Sequence, residues 1–142
     1  MGYSIYIASK LSSRYRLRPI KAKLKSLGYN VLSKWMDPDV NMDPSIDLDS
    51  LGNNLEESKA EAERDKEELD RTDIFIIDTF DRSESGGRDV ELGMILEKAR
   101  WFKSLEGIFR VGPIRNVFHT RVPAHNSWDE MIDYLLKEFP ND

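Results

Sequence analysis

One stretch limits the architecture more than any other. Residues 73–78 read DIFIID, four consecutive large apolar side chains between two aspartates. Successive side chains of a strand point to opposite faces, so both faces here are apolar and both need cover. That pattern belongs to a central strand of a parallel sheet with helices on each side.

The remaining segments fall into place around it. YSIYIAS (3–9) is a short β-branched and aromatic run that reads as a second buried strand. Ile20, Leu24 and Leu27 then repeat with helical spacing, with Pro19 near the first turn and Gly28 at the end. YNVLSKW (29–35) and GIFRVGP (107–113) are further strand candidates, and NVFHTRV (116–122) is a candidate short fifth strand. Residues 55–71 carry strong helix formers, and 89–104 form a helix carrying Val90, Met94, Ile95 and Phe102. The last helix is marked by a capping box, Ser127 with Glu130, followed by Trp128, Met131, Ile132, Leu135, Leu136 and Phe139 on one face. Strand and helix alternate along the chain. The expectation is a single α/β domain over 1–142, a flavodoxin/Rossmann-like three-layer sandwich with a parallel sheet of about five strands.

Composition narrows the chemistry. There is no cysteine, which removes disulfides, thiolate nucleophiles and Cys-based metal sites. No apolar run reaches the roughly 20 residues of a membrane helix. The start, MGYSIYIAS, shows neither a secretory leader nor a myristoylation pattern, so a cytoplasmic location is expected. The formal net charge of −5 disfavours a nucleic-acid duplex as partner. The basic stretch RYRLRPIKAKLK (14–25) and the acidic stretch EESKAEAERDKEELD (56–70) read mainly as solvated helix faces, although the first has room for a small anion near its beginning. The long segment 36–54, with two Asp-Pro pairs, reads as a loop or lid. It lacks EF-hand spacing, so an acidic surface loop is preferred to a calcium site. His119 and His125 have no third ligand nearby, and zinc is set aside; His119 reads as a hydrogen-bonded strand-end residue.

In folds of this kind ligands bind beyond the C-terminal ends of the strands. SESGGRDVELG (83–93) lies there, directly after DIFIIDTF. Two readings of Glu91 stand. It is a first-turn acid that satisfies its own helix end, or an ionised carboxylate held beside a pocket that attacks a carbon electrophile. Spacing alone favours the first. The SGGR turn supplies Ser85, Gly86, Gly87 and Arg88 for an anion, but it is neither a Walker A loop nor a dinucleotide fingerprint. A response-regulator receiver is rejected, because its acidic pair after the first strand is replaced by IASK.

Taken together, the segments resemble the nucleoside 2-deoxyribosyltransferase family, including the nucleoside 5′-monophosphate N-glycosidases. IYIAS looks like the family's first strand with its tyrosine, Tyr6; RDKEELDRTDIFIID looks like its helix–strand junction with Asp65; SGGRDVELG looks like its nucleophile segment with Glu91; RVGPIRNVFH resembles a tail of small members. The resemblance implies that Glu91 attacks the anomeric carbon, Asp65 protonates or orients the leaving base, and Tyr6 holds Glu91. It implies no cofactor and no metal, a nucleotide or nucleoside as the small-molecule partner, and a homodimer or larger assembly. Ser85 stands where classical transferases carry an aspartate, as in the monophosphate N-glycosidases. With Ser9, Ser12 and Arg14 it is expected to complete a phosphate pocket. Hydrolysis of a (deoxy)nucleoside 5′-monophosphate or nucleoside is therefore the first expectation, base exchange the second, and a nucleotide-binding module without turnover the third. A flavodoxin-type redox carrier is weaker, for want of a Ser/Thr-rich phosphate cradle. Asp78 at the strand end and Trp35, either a stacking platform or a core residue, complete the candidate binding set. The join from Glu91 to Gly112 is about six residues longer than in relatives, a loop-length departure that bears on assembly.

Overall fold

The computed structural model describes residues 2–38, 55–82, 87–102 and 105–141. Five strands, β1 (Ser4–Ala8), β2 (Asn30–Val31), β3 (Ile74–Asp78), β4 (Gly107–Val111) and β5 (Ala124–His125), form one sheet in the order β2-β1-β3-β4-β5. Every pairing is parallel. Four α-helices connect or flank them: α1 (Arg14–Ser26), α2 (Leu55–Asp70), α3 (Gly87–Phe102) and α4 (Trp128–Glu138). The expected flavodoxin-like α/β architecture is the one observed.

The DIFIID strand sits where its sequence demands. β3 lies at the centre, and Ile74, Phe75, Ile76 and Ile77 are completely buried. Each such side chain contributes about 1.5–3 kcal/mol through burial. Asp73, just before the strand, accepts the Ser4 N–H at 2.9 Å and so sets β1 beside it. The α4 start is also as expected. Ser127 Oγ accepts the Glu130 N–H at 3.1 Å, while Glu130 Oε2 accepts from Asn126 N at 3.1 Å. Trp128, Met131, Ile132 and Leu135 are buried; Leu136 lies at the edge of that face and is exposed.

Three boundaries differ from the sequence reading. The second strand is only Asn30–Val31, and Lys34–Met36 is a 3-10 turn. The cause is Ser33, which has φ 26° and replaces ladder bonds with side-chain ones: its Oγ accepts from Ile7 N at 2.6 Å and donates to Ile7 O at 3.3 Å. Residues Val117–Arg121 form a 3-10 helix rather than a strand, started by Asn116 Oδ1 accepting from Phe118 N at 2.9 Å. The last strand falls after Pro123 instead. Finally, α3 begins at Gly87, two residues earlier than its apolar pattern indicates. Most of segment 36–54 lies outside the described residues.

Candidate active site

The order β2-β1-β3 makes the C-terminal ends of β1 and β3 the topological switch point, the expected ligand position in an open parallel sheet. Tyr6 on β1 is in register with Phe75 on β3, and the two rings are parallel with centroids 6.0 Å apart. The face carrying Tyr6 meets side chains from α2 and α3: Glu91, Asp65 and Glu68 all act electrostatically on its hydroxyl. Burial and then Glu91 push the Tyr6 pKa far up, so the phenol keeps its proton. Three atoms here are buried with no hydrogen-bond partner: the Tyr6 hydroxyl, Glu91 Oε2 and Glu68 Oε2. The Tyr6 hydroxyl approaches Glu91 and favours its charged form, without the geometry of a full hydrogen bond. Contacts of this sort commonly tighten only when substrate is bound.

The charge state of Glu91 corrects the sequence expectation. A first-turn acid would stay ionised. Because α3 starts at Gly87, Glu91 lies in the second turn, where the dipole has faded, and the first-turn acid is Asp89. Burial pushes the Glu91 pKa from 4.5 up to about 8, with Asp65 and Glu68 adding to the rise and Tyr6 and Arg64 opposing it. At neutral pH the carboxyl therefore favours its neutral form.

Asp65 is half-buried and paired with Arg64 at 3.1 Å. Its pKa is raised by burial, against the pull of Arg64. Glu68 lies one helical turn further along α2, almost wholly buried, with Oε1 accepting the Lys34 N–H at 3.2 Å. Its pKa is also raised, first by burial. Sequence reading missed Glu68 and Arg64. Both lay in a charge-rich stretch taken as a solvated face. The available signal was Asp65 and Glu68 at i, i+3 beside the apolar Leu69, which puts both acids on the inward side.

The binding candidates divide differently. Asp78 is fully buried and fully satisfied. Arg16 forks onto it at 2.7 and 3.0 Å, Trp128 Nε1 donates at 2.7 Å, and Ser9 Oγ and Phe80 N reach Oδ1 at 3.3 Å. Ser9 also donates to the Asp78 carbonyl at 3.0 Å. Both residues are thus engaged in holding the β3 end. Arg88 is buried, with Nη1 on the carbonyls of Asp78 at 3.3 Å and Asp81 at 2.6 Å, which straps the start of α3 to the strand end. Trp35 is buried in the core and gives its indole N–H to Ile7 O at 2.8 Å. Arg14 is different: it is buried, Nη2 reaches the Tyr15 hydroxyl at 3.2 Å, and Nε and Nη1 have no partner among the described residues. Gly87 is exposed in the first turn of α3, and Ser85 and Gly86 lie outside the described residues.

A second pair, of which only the histidine is buried, fixes the start of α3. His119 is completely buried in its 3-10 turn, not at a strand end. Its Nδ1 accepts the Arg115 N–H at 3.0 Å, so Nε2 carries the proton and donates to Asp89 Oδ1 at 2.7 Å. Outside the acid cluster, an open hollow of about 580 Å³ runs along α2 past Ala60, Glu63 and Glu67 and touches the cluster only through Arg64. No helix of the described residues is long and apolar enough to cross a membrane.

A five-stranded parallel sheet in this order with helices around it defines the flavodoxin-like class of α/β fold. Among solved structures, a 2-deoxyribosyltransferase from the psychrotolerant bacterium Bacillus psychrosaccharolyticus is similar at a TM-score of 0.65 and 19% sequence identity, covering 92% of this chain and 91% of that one. At that identity the likeness establishes the shared fold. No protein-family model matches the chain. No curated protein matches it either.

Proposed function

We propose that this chain is an enzyme that breaks the N-glycosidic bond of a (deoxy)nucleoside or its 5′-monophosphate through a covalent glycosyl–Glu91 intermediate. The observation that carries the proposal is the convergence of Tyr6, Asp65 and Glu91, from β1, α2 and α3, at the switch point with polar atoms left unpartnered. A buried polar group without a partner calls for an explanation, and perturbed pKa values cluster at functional sites.

The chemistry is that of a retaining glycosidase. Glu91 in its ionised form, which the positive charge building on the sugar ring favours, attacks C1′ while the C1′–N bond breaks. Asp65, whose neutral form is favoured by burial, gives its proton to the departing base. Tyr6 donates a hydrogen bond to the carboxylate oxygen that does not attack. A second base or a water then takes C1′ from Glu91. Transfer of a 2-deoxyribosyl group between bases is the reading favoured by the structural neighbour, itself a 2-deoxyribosyltransferase. Release to water from a 5′-monophosphate is favoured by a separate observation, the two unpartnered buried nitrogens of Arg14 after β1. A phosphate would complete them with charge-assisted hydrogen bonds.

The active form is taken to be a homodimer or larger assembly within the cytoplasm. Exposed apolar side chains support assembly: Val90 and Met94 one turn apart on α3, and Val117 and Phe118 beside its start. Light scattering checks this, and a monomer at micromolar concentration removes it. The test of function is incubation with ribo- and deoxyribonucleosides and their monophosphates, with free base read by chromatography. Base exchange outrunning free sugar when a second base is added marks a transferase; free sugar phosphate marks the hydrolase. Binding by calorimetry without any product would mean a nucleotide-binding module.

A further inference from the structure

His119 lies outside the proposed chemistry, yet it is completely buried and both its nitrogens are engaged. Nδ1 accepts the Arg115 N–H at 3.0 Å, a bond within the turn itself. An asparagine oxygen would serve that purpose with a smaller buried polar side chain. Nε2 donates to Asp89 Oδ1 at 2.7 Å, across 30 positions of sequence, in the first turn of α3. An imidazole with an acceptor at one nitrogen and a donor at the other spans from the turn to the helix.

The turn that carries His119 is itself held. Arg110 of β4 is buried and donates through Nη1 to the His119 carbonyl. Arg115 donates through Nε to Thr79 O at 3.0 Å and through Nη2 to Phe80 O at 2.7 Å, directly after β3. Thr79 Oγ1 donates to Pro113 O at 2.6 Å. Gly112, at φ 119°, permits this close approach: a Cβ there would lie 2.7 Å from Thr79 Oγ1. The imidazole therefore projects from a base fastened to β4 and to the end of β3.

The helix needs such a reference. Leu92 and Ile95 are buried and press α3 onto the sheet. Apolar burial is non-directional, so it resists lifting of the helix more than sliding or rolling. Hydrogen bonds are directional and fix both. The start of α3 is tied by Arg88 to the carbonyls of Asp78 and Asp81, and by Asp89 to His119. Glu91 follows Asp89 by two residues on the same helix.

Resting on the nucleophile role given above to Glu91, we propose that His119 is a positioning residue of this site. Acting through Asp89, it sets the axial position and rotation of α3, and so the line along which the Glu91 carboxylate meets C1′. It touches no reacting atom. A displacement of about 1 Å at a reacting group is enough to lower a rate by about 10²-fold.

Two substitutions separate the two bonds. His119→Asn keeps an acceptor for the Arg115 N–H and no longer reaches Asp89. His119→Gln keeps a donor for Asp89 and gives up the Arg115 N–H. Each loses one buried hydrogen bond, so the two should melt at similar temperatures. His119→Asn is expected to lower kcat for base release by about 10²-fold with KM nearly unchanged, and His119→Gln to restore most of kcat. Asp89→Ala should reproduce the His119→Asn loss, and the double variant should add nothing further, because both remove the same bond. If kcat falls equally in the Asn and Gln variants, or if the losses of His119→Asn and Asp89→Ala add, the pair is only a brace and the proposal is overturned. A readout independent of turnover separates it from the assignment of the reaction. Amide hydrogen exchange at residues 91–93, bonded within the first turns of α3, should quicken about tenfold in His119→Asn and stay near the wild-type rate in His119→Gln. Unchanged exchange in His119→Asn overturns the proposal even if Glu91→Ala is inactive. If Glu91→Ala retains full activity, the functional reading fails instead, while the exchange rates still decide whether the pair tethers α3. Should His119→Asn not fold, Asp89→Ala, at a partly exposed position, carries both measurements.

Discussion

Two buried carboxylate environments lie on opposite faces of the sheet, Asp78 with Arg16 and Trp128 and Glu91 with Tyr6, and they are built in opposite ways. Around Asp78 every acceptor site is filled, by the Arg16 fork, the Trp128 indole, Ser9 and a backbone N–H. Around Glu91 the Tyr6 hydroxyl and the Oε2 atoms of Glu91 and Glu68 are buried without a full hydrogen bond, and the Glu91 pKa is pushed up to about 8. A satisfied buried acid holds structure. An unsatisfied one has been left incomplete at a cost in stability, and a ligand is the natural partner. The same carboxyl chemistry is thus a fastening in one place and, in the proposed function, a reagent in the other.

The sharpest way to break this contrast is to exchange the two outcomes. Glu91→Gln is expected to lower base release by about 10³-fold or more, the scale of losing a nucleophile, with the fold intact by circular dichroism. Asp78→Ala should do the reverse. Removing one partner of a buried ion pair costs about 3–5 kcal/mol, so urea denaturation should show a large loss of stability. Arg16 is partly exposed and recovers some hydration, which places the effect at the lower end. An Asp78 variant that is stable but inactive would break the comparison outright.

Next in size is a pH effect on stability. The folded-state pKa of Glu91, about 8, lies above the ordinary 4.5, so the folded chain holds an extra proton between those values. The contribution of Glu91 is most favourable at low pH and is lost as pH rises through about 8. Glu91→Gln should therefore match the wild type near pH 4 and melt several degrees higher near pH 9, roughly 4 °C for each kcal/mol in a domain of this size. Equal melting temperatures at both pH values would show that Glu91 is not desolvated. The smallest expected effect is at Arg14. Arg14→Leu should raise KM for a 5′-monophosphate by about tenfold, the worth of one charge-assisted contact, and leave KM for the nucleoside unchanged. Because the guanidinium is buried and half unpartnered, the variant should be no less stable. Equal effects on both substrates would remove the phosphate reading.

Tyr6, Asp65 and Glu91 stand out in the sequence as candidates because they sit on elements whose own patterns are strong. Each was reached through a strand or helix signal together with the resemblance. Glu68 was not legible, since an acid among eight acids of residues 56–70 carries no mark of facing inward. Asp78 looked like a binding group, yet its partners Arg16 and Trp128 lie 62 and 50 positions away. No local pattern announces such pairs. His119 illustrates the same limit: its bond to Asp89 spans 30 positions and joins a turn to a helix start.

The sequence by itself determined the class of fold, because apolar periodicity is a local property and DIFIID admits few positions other than the middle of a covered sheet. It also determined the α4 cap, which needs only residues 126–130. Tertiary structure decided which charges are solvated, which are fastened and which are left bare. Burial and pairing depend on what other segments bring to the same place. Desolvation then converts an ordinary glutamate into one that keeps its proton near neutrality.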